Sequence, residues 1–199
     1  MFTKEEILAE TKKIQYLYGL KHEIRYAETR DSQTESVAEH IYAMHILAHY
    51  FLALEDVEKT WNRQRIFEMI TWHDIDELET GDIIGYKKTD ADRIAENNAI
   101  ETVLNRMPTA LVESLTPILL EYQKRETIES QFVKALDKIE TLFELFNERG
   151  KALQQKNKTS IENYKSIKDV YIAPFLTMRR FNEVLSEEMI QQGFFTHDA

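Results

Sequence analysis

The segment Thr71–Asp82 contains the side chains of this sequence that are best suited to chemistry. Apolar residues recur before it at helical spacing, and continuing that spacing brings His73, Asp74 and Glu77 onto the same face. A helix that should go on burying an apolar stripe instead presents an imidazole beside carboxylates. A buried carboxylate is costly without a partner, so this face needs either a cation from the protein or a metal ion.

The same segment is densely acidic, since Asp76, Glu79 and Asp82 accompany Asp74 and Glu77. These acids could simply form a solvated helix end. Carboxylates near the C-terminus of a helix face an unfavourable dipole, however, because that end favours cations. A bound divalent cation would relieve the repulsion.

Composition and charge narrow the classes of function. The chain has 199 residues, of which 43% are hydrophobic and 30% charged, as in an ordinary globular domain with a real core. Its formal charge of -10 argues against a nucleic-acid polymer or an anionic membrane as partner, but not against a small phosphorylated ligand. The absence of cysteine rules out disulfides, thiolate nucleophiles and thiolate-bound zinc.

No stretch of the sequence resembles a targeting or membrane segment. Residues 1–10 are charged and lack the apolar core of a signal peptide. The most apolar run, Ile41–Leu54, is too short to span a bilayer and contains His45 and His49. We therefore expect a cytoplasmic protein that does not bind a membrane.

With only 5 Gly and 3 Pro and apolar residues at helical spacing, the sequence predicts an all-α fold. Capping boxes at Thr3–Glu6 and Ser36–Glu39 predict where the first two helices begin. A third helix is predicted from about Asn62 through His73 and Asp74, ending near Gly81.

The second half of the chain continues the helical pattern. Helices are predicted over Ile94–Arg106, after Pro108 and over Ser130–Glu148. The polar residues 150–160 predict an exposed connection, and the last part predicts two helical stretches separated at Pro174. No repeat or second domain is evident, so we expect a compact single-domain helical bundle over residues 1–199, with C-terminal helices at about 160–192.

Other candidate residues are weaker when they are considered alone. His45 and His49 are spaced so that they could chelate a metal, but neither is followed by Glu as in zinc proteases. His40 lies at the rim of its helix's apolar stripe, where a lone histidine is usually just hydrogen-bonded. A helical wheel places Asp137 away from the centre of its helix's apolar stripe, which predicts that it is exposed.

Three short motifs nevertheless occur in a meaningful order: Thr34–His40, His73–Glu77 followed by Thr80–Ile83, and Leu136–Glu140. Their residues include His40, the pair His73-Asp74 and the distant Asp137. This set resembles the HD-domain metal-dependent phosphohydrolases, whose signature is a His, a His-Asp pair and a distant Asp. The resemblance covers roughly residues 20–145 and implies an HD-type helical fold.

Within that family, the Glu-Ser-Val-Ala-Glu-His and Thr-Gly-Asp stretches look most like the 5'-deoxynucleotidases, which hydrolyse deoxynucleoside 5'-monophosphates. That group has an Arg followed by an aromatic residue before the first His. Arg25-Tyr26 occupies this place here, although the aromatic residue in the best-known members is Trp.

The resemblance implies a role for each of these residues. The ligands of one divalent ion (Mn, Co, Fe, Zn or Mg) would be His40, His73, Asp74 and Asp137. Glu77 would move a proton during hydrolysis. Arg25 would bind the phosphate of a small nucleotide substrate, and Tyr26 and Asp82 would contact its sugar or base. Family members often form dimers, so the resemblance leaves a homodimer open.

Two other functions stay open at this stage. One is an HD hydrolase of a different phosphate ester, such as a phosphodiester or a pyrophosphorylated nucleotide. The other is a non-catalytic helical binding module that keeps the HD fold. The first differs from a nucleotidase only in the shape of its pocket, whereas a degenerate module should have lost at least one of the residues assigned above.

Overall fold

The computed structural model describes residues 3–31 and 33–196, and within them the chain folds into α-helices joined by short turns. The β pairings in these ranges are two isolated bridges, Ile24 with Ser36 and Ser160 with Thr196. The all-α prediction is thus confirmed. In chain order the helices are α1 Lys4–Leu17, α2 Val37–Glu55, α3 Arg63–Trp72, α4 Glu77–Thr80, α5 Asp90–Arg106, α6 Thr109–Lys124, α7 Ile128–Leu145, α8 Glu148–Lys156, α9 Ile161–Ser166, α10 Asp169–Ile172 and α11 Leu176–Gln191.

Both predicted capping boxes are present. The Thr3 N–H donates to Glu6 Oε2 at 2.7 Å, and the Thr3 hydroxyl accepts from the Glu6 N–H at 3.2 Å. Ser36 and Glu39 make the equivalent pair of bonds at 2.7 and 3.3 Å. These bonds satisfy N–H groups that a helix N-terminus otherwise leaves without partners, which is why α1 and α2 begin where the sequence predicts.

The third helix ends earlier than predicted. α3 stops at Trp72, and residues 73–76 form a turn that leads into α4. The prediction of one helix through His73 and Asp74 is therefore wrong. Two local bonds explain the break: the His73 imidazole donates to the Ile70 carbonyl at 3.0 Å, and the Ile75 N–H donates three residues back to Trp72, at 3.2 Å. The side chain thus takes a carbonyl that the helix would have used, and the chain tightens.

The predicted connection over residues 150–160 is also wrong in part, because α8 occupies most of it. Asn147 caps this helix by accepting from the Gly150 N–H at 2.9 Å, and Leu153 and Gln154 are buried. Beyond it the chain forms three helices rather than two stretches, and α11 begins just after Pro174. Burial of one face therefore stabilises α8, although the polar composition of this segment did not predict a helix.

The chain divides into two compact units, Met1–Tyr42 with Glu68–Lys124 and Ala43–Phe67 with Arg125–Ala199. In the described part of the first unit, buried apolar residues come from the α3 end, α5 and α6, and include Met69, Val103 and Ile118. In the second unit they come mainly from α2, α7 and the C-terminal helices. No helix in the described ranges is long and apolar enough to cross a membrane.

Gly150 is expected to tolerate no larger residue. A Cβ atom at this position would lie 2.0 Å from the Leu145 carbonyl oxygen, which belongs to the backbone and cannot rotate away. We expect Gly150→Ala to lower the free energy of unfolding by about 1–3 kcal/mol, as overpacking does. Urea denaturation measures this. The exposed Lys156→Ala in the same helix is the control, expected to change stability by less than about 0.5 kcal/mol.

Candidate metal centre

His73 lies just after α3, where a bond to a backbone carbonyl orients its imidazole. A carbonyl oxygen only accepts, so the bond from Nδ1 to the Ile70 carbonyl places the ring proton on Nδ1. The other ring nitrogen, Nε2, lies 3.0 Å from Asp74 Oδ2, and it has no hydrogen-bond partner among the described residues. Two electron-rich atoms at contact distance need a proton or a cation between them.

His40 presents a second imidazole to the same oxygen. It lies in the first turn of α2, fully buried, with Nε2 3.8 Å from Asp74 Oδ2. The His40 and His73 rings are 5.6 Å apart between centroids. One ligand atom from each of His40, His73 and Asp74 lies within 4.8 Å of the others. Two imidazoles and a carboxylate suit a divalent transition metal, so this donor set fits the cation that the sequence predicts.

Arg25 contacts the other nitrogen of His40. Its Nη1 lies 2.7 Å from His40 Nδ1 and 2.7 Å from Glu35 Oε2, and all three side chains are buried. A guanidinium only donates, so Nδ1 accepts in this arrangement. A cation at Nε2 requires the opposite tautomer. Arg25 must then leave Nδ1, and Glu35 Oε1, 4.0 Å from Nδ1, becomes the nearby acceptor.

Asp82 positions the turn that contains Arg25 and Tyr26. Tyr26 has a φ of 64°, which lies in the left-handed region of backbone conformations. This conformation is unfavourable for residues other than glycine, so it persists only where surrounding contacts stabilise it. The Tyr26 N–H donates to Asp82 Oδ2 at 2.8 Å, and Arg25 Nε lies 3.8 Å from Asp82 Oδ1. The three residues predicted to contact substrate are therefore in contact with one another.

Glu77 begins α4 and lies deep in the acidic segment. Burial raises the pKa of its carboxyl well above the usual range, and the charges of Asp74 and Asp82 raise it further. Its Oε2 finds no hydrogen-bond partner in the described ranges. Burial and the charge of Asp74 also raise the pKa of Asp76, to about 7. Carboxylates that repel one another in a buried site are a setting that a divalent cation stabilises.

Asp137 belongs to the second unit, on α7, and the helical-wheel prediction that it is exposed is wrong. Only 6% of the residue is accessible. Its carboxylate pairs with Lys134 Nζ at 2.7 Å and Lys138 Nζ at 3.1 Å. These two neighbours in its own helix compensate the charge that burial would otherwise penalise.

His45 and His49, whose spacing alone would allow chelation, pack against an aromatic ring. The Phe67 centroid lies 5.5 Å from that of His45 and 4.8 Å from that of His49. Sequence reasoning did not assign a role to Glu35, although its place between Arg25 and His40 is central to the site. The available signal was its position within the Thr34–His40 motif.

The chain belongs to the HD-domain family, because the family's sequence profile, described as HD domain, matches residues 17–178. The crystal structure of a predicted metal-dependent phosphohydrolase from Magnetospirillum magnetotacticum superposes with a TM-score of 0.82 at 21% identity, covering 99% of this chain and 100% of that one. An HD-domain phosphohydrolase from Listeria innocua gives 0.61 at 24% identity, covering 92% and 85%. These similarities confirm the predicted HD-type fold.

Two sequence relatives are named as 5'-deoxynucleotidases. The protein hdd1 of Schizosaccharomyces pombe is 28% identical over 129 residues, which are 62% of this chain and 63% of the relative. The protein HDDC2 of Xenopus laevis is 31% identical over 117 residues, or 55% of this chain and 53% of the relative. Each match therefore spans less than two thirds of the relative's length.

Proposed function

We propose that this protein is a metal-dependent phosphohydrolase that releases phosphate from nucleoside 5'-monophosphates, mainly the deoxy forms. The observation that carries the proposal is the His73 Nε2 atom, which has no hydrogen-bond partner among the described residues and lies 3.0 Å from the Asp74 carboxylate. That contact needs a proton or a cation, and His40 places a second imidazole near the same carboxylate oxygen.

His40, His73 and Asp74 would hold the divalent ion, with Asp137 as a fourth ligand on the strength of its sequence motif. An ion bound there would act as a Lewis acid on the phosphoryl group and activate water as nucleophile. The Nδ1–H bond of His73 to Ile70 orients the imidazole and fixes its tautomer, as partners behind metal ligands do.

Glu77 is the residue we assign to proton transfer. Burial and the neighbouring acids raise the pKa of its carboxyl well above the usual range, which favours a carboxyl that takes up a proton during the reaction. It would accept a proton from the attacking water or give one to the leaving sugar oxygen. Its position in a buried acidic site keeps it clear of bulk water.

Arg25 is proposed to bind the phosphate of the substrate once its guanidinium has moved away from His40 Nδ1. A guanidinium has several donors in a fixed plane, so it can stay bonded to Glu35 while offering others to phosphate oxygens. Asp82 holds the Arg25-Tyr26 turn, and the half-buried Tyr26 ring, 4.9 Å from the Arg25 guanidinium carbon, is assigned to contact the sugar or base.

The substrate class is supported by the two relatives that carry the name 5'-deoxynucleotidase. A cytoplasmic location is proposed as well, and the lack of cysteine is compatible with it. A homodimer is supported by exposed apolar residues at helical spacing on α2, namely Ile46, Tyr50 and Leu54.

The proposal is tested by measuring phosphate release from purified protein with ribo- and deoxynucleoside 5'-monophosphates, in the presence of Mn²⁺ or Co²⁺ or of excess chelator. We expect release that requires the metal and is faster with the deoxy substrates. A phosphodiester and a nucleoside triphosphate are assayed in parallel. Turnover of those alone would favour a different HD hydrolase, and no turnover of any compound would favour a non-catalytic module.

A further inference from the structure

Glu35 and Arg25 lie on two short stretches of backbone that pair with each other. The Arg25 N–H donates to the Glu35 carbonyl at 3.0 Å, and the Val37 N–H donates to the Glu23 carbonyl at 3.0 Å. One of the two isolated β bridges in the described ranges lies between these bonds. The backbone therefore holds Arg25 and Glu35 opposite each other, independently of any contact between their side chains.

The side chain of Glu35 extends this pairing into the buried part of the site. Its Oε2 accepts from Arg25 Nη1 at 2.7 Å, and its Oε1 lies 4.0 Å from His40 Nδ1. The Glu35 side chain is only 4% exposed, and that of His40 is fully buried. One carboxylate thus faces both the arginine assigned to phosphate and the first of the predicted metal ligands, in a place where little water competes for it.

The contact between Arg25 and His40 is the part of this arrangement that metal binding must change. Arg25 Nη1 lies 2.7 Å from His40 Nδ1. A neutral imidazole that offers Nε2 to a cation carries its proton on Nδ1, and that N–H cannot face a guanidinium, which only donates. Histidine ligands of metals usually donate this N–H to a carboxylate or a carbonyl oxygen. Glu35 Oε1 is such an oxygen, and a small shift brings it within hydrogen-bond distance of Nδ1.

Arg25 keeps its anchor when it moves away from His40. Its guanidinium has several N–H donors, and the bond to Glu35 uses only part of them. Arg25 Nε also lies 3.8 Å from Asp82 Oδ1. The guanidinium can therefore turn its other donors towards an anionic ligand while Glu35 still fixes its position.

We propose that Glu35 is a positioning residue shared by the metal centre and the phosphate-binding arginine. Its Oε1 accepts from the Nδ1–H of His40 when a divalent ion occupies Nε2, and its Oε2 holds Arg25 in place for the phosphate. The first role needs only the metal centre, whereas the second rests on the proposed function. Glu35 itself contacts neither the metal nor the substrate.

The first role is tested by calorimetric titration of Mn²⁺ into the metal-free protein. We expect Glu35→Gln to weaken Mn²⁺ binding by about tenfold to a hundredfold, as loss of a partner behind a metal ligand does. Glu39→Gln is the matched control: it removes the same charge beside His40, but from a side chain that is 54% exposed and pairs with Arg30 at 2.9 Å. Its Mn²⁺ affinity is expected to stay within about twofold of the unchanged protein, because an exposed ion pair contributes little.

Two results of this titration would overturn the first role. Equal Mn²⁺ affinity in Glu35→Gln and the unchanged protein would show that His40 does not depend on the carboxylate. A folded Glu35→Gln variant that retains no Mn²⁺ at all would make Glu35 a metal ligand instead of a positioning residue. The melting temperature of each metal-free variant shows whether it is folded.

A second comparison guards against a loss of folding. Glu35→Gln leaves the buried guanidinium of Arg25 without its ionic partner, which can itself destabilise the fold. Arg25→Met/Glu35→Gln removes both charges, and it is compared with Arg25→Met, so that a difference cannot come from the ion pair. We expect the double variant to bind Mn²⁺ about tenfold more weakly than Arg25→Met. Equal affinity in these two variants would contradict the contact between Glu35 and His40.

The second role is tested by titrating inorganic phosphate into each protein at saturating Mn²⁺. We expect Glu35→Gln to bind phosphate about tenfold more weakly than the unchanged protein, because Arg25 loses the partner that orients it. In the Arg25→Met background the same substitution is expected to cause no further loss, since it acts through Arg25. A further loss of about tenfold in the double variant would show that Glu35 acts on phosphate independently of Arg25, and the second role would be wrong.

Failure of the proposed function has a different signature. An unchanged protein that binds Mn²⁺, but neither binds phosphate nor releases it from any nucleotide, would remove the proposed function and the second role. The Mn²⁺ titrations would still decide the first role. An unchanged protein that binds phosphate and turns over nucleotides, with both affinities unaltered in Glu35→Gln, would remove the role of Glu35 alone.

Discussion

Replacing His73 with alanine is expected to abolish stoichiometric metal binding, from close to one divalent ion per chain in the unchanged protein. Loss of groups that merely support a ligand already lowers metal affinity by about tenfold to a hundredfold, and loss of a ligand should exceed that. Asp74→Ala is expected to behave in the same way, because its Oδ2 faces both imidazoles. Elemental analysis and titration with Mn²⁺ measure the effect.

Metal removal should also be visible as a change in stability. A ligand present at a hundred times its Kd stabilises the folded state by about 2.7 kcal/mol, which is about 5–10 °C in Tm for a chain of this size. Excess chelator is thus expected to lower the Tm of the unchanged protein by that amount and to leave His73→Ala unaffected.

His22→Ala is the matched control, because His22 is exposed and lies outside the three predicted ligand motifs. It should keep both the metal and the response to chelator. Unchanged metal content in both His73→Ala and Asp74→Ala would show that the metal centre is placed wrongly.

Glu77→Gln is expected to keep the metal and to lose about 10²- to 10⁴-fold in kcat, the usual contribution of a general acid or base. Glutamine has nearly the same shape but cannot carry a proton. Because the pKa of Glu77 is raised by burial and by neighbouring acids, removing its charge should not lower the Tm. Steady-state phosphate release and thermal denaturation of the same samples separate a chemical loss from a folding loss.

Glu79→Gln supplies the comparison from the same short helix. The Glu79 carboxylate accepts from the Tyr16 hydroxyl at 2.6 Å and pairs with Arg106, so it is directed to other partners than the candidate centre. Its kcat is expected to stay within a few fold of the unchanged protein. Full activity in Glu77→Gln would exclude Glu77 from proton transfer, and loss of metal in that variant would make it a ligand instead.

Local signals in the sequence were reliable where the physics is local. The Ser36–Glu39 capping box marked the start of α2 because its bonds involve residues three apart and need nothing else. The break after Trp72 was missed although its bond also joins residues three apart, because the His73 imidazole competes with the helix for the Ile70 carbonyl and residue spacing does not show which bond forms. Likewise α8 was missed because its stability depends on the burial of Leu153 and Gln154, and composition does not show which face is covered.

The sequence alone determined the helical class, the family and the identity of the residues that could bind a cation, since these follow from periodicity and from short motifs in a fixed order. Tertiary structure decided the rest. It joined Arg25 to Glu35 and His40, and it brought the His40 imidazole towards the same Asp74 oxygen that His73 contacts. Those contacts depend on the distances between groups that are remote in sequence and on the exclusion of solvent around them. The spacing of residues along one helix predicts neither of these quantities.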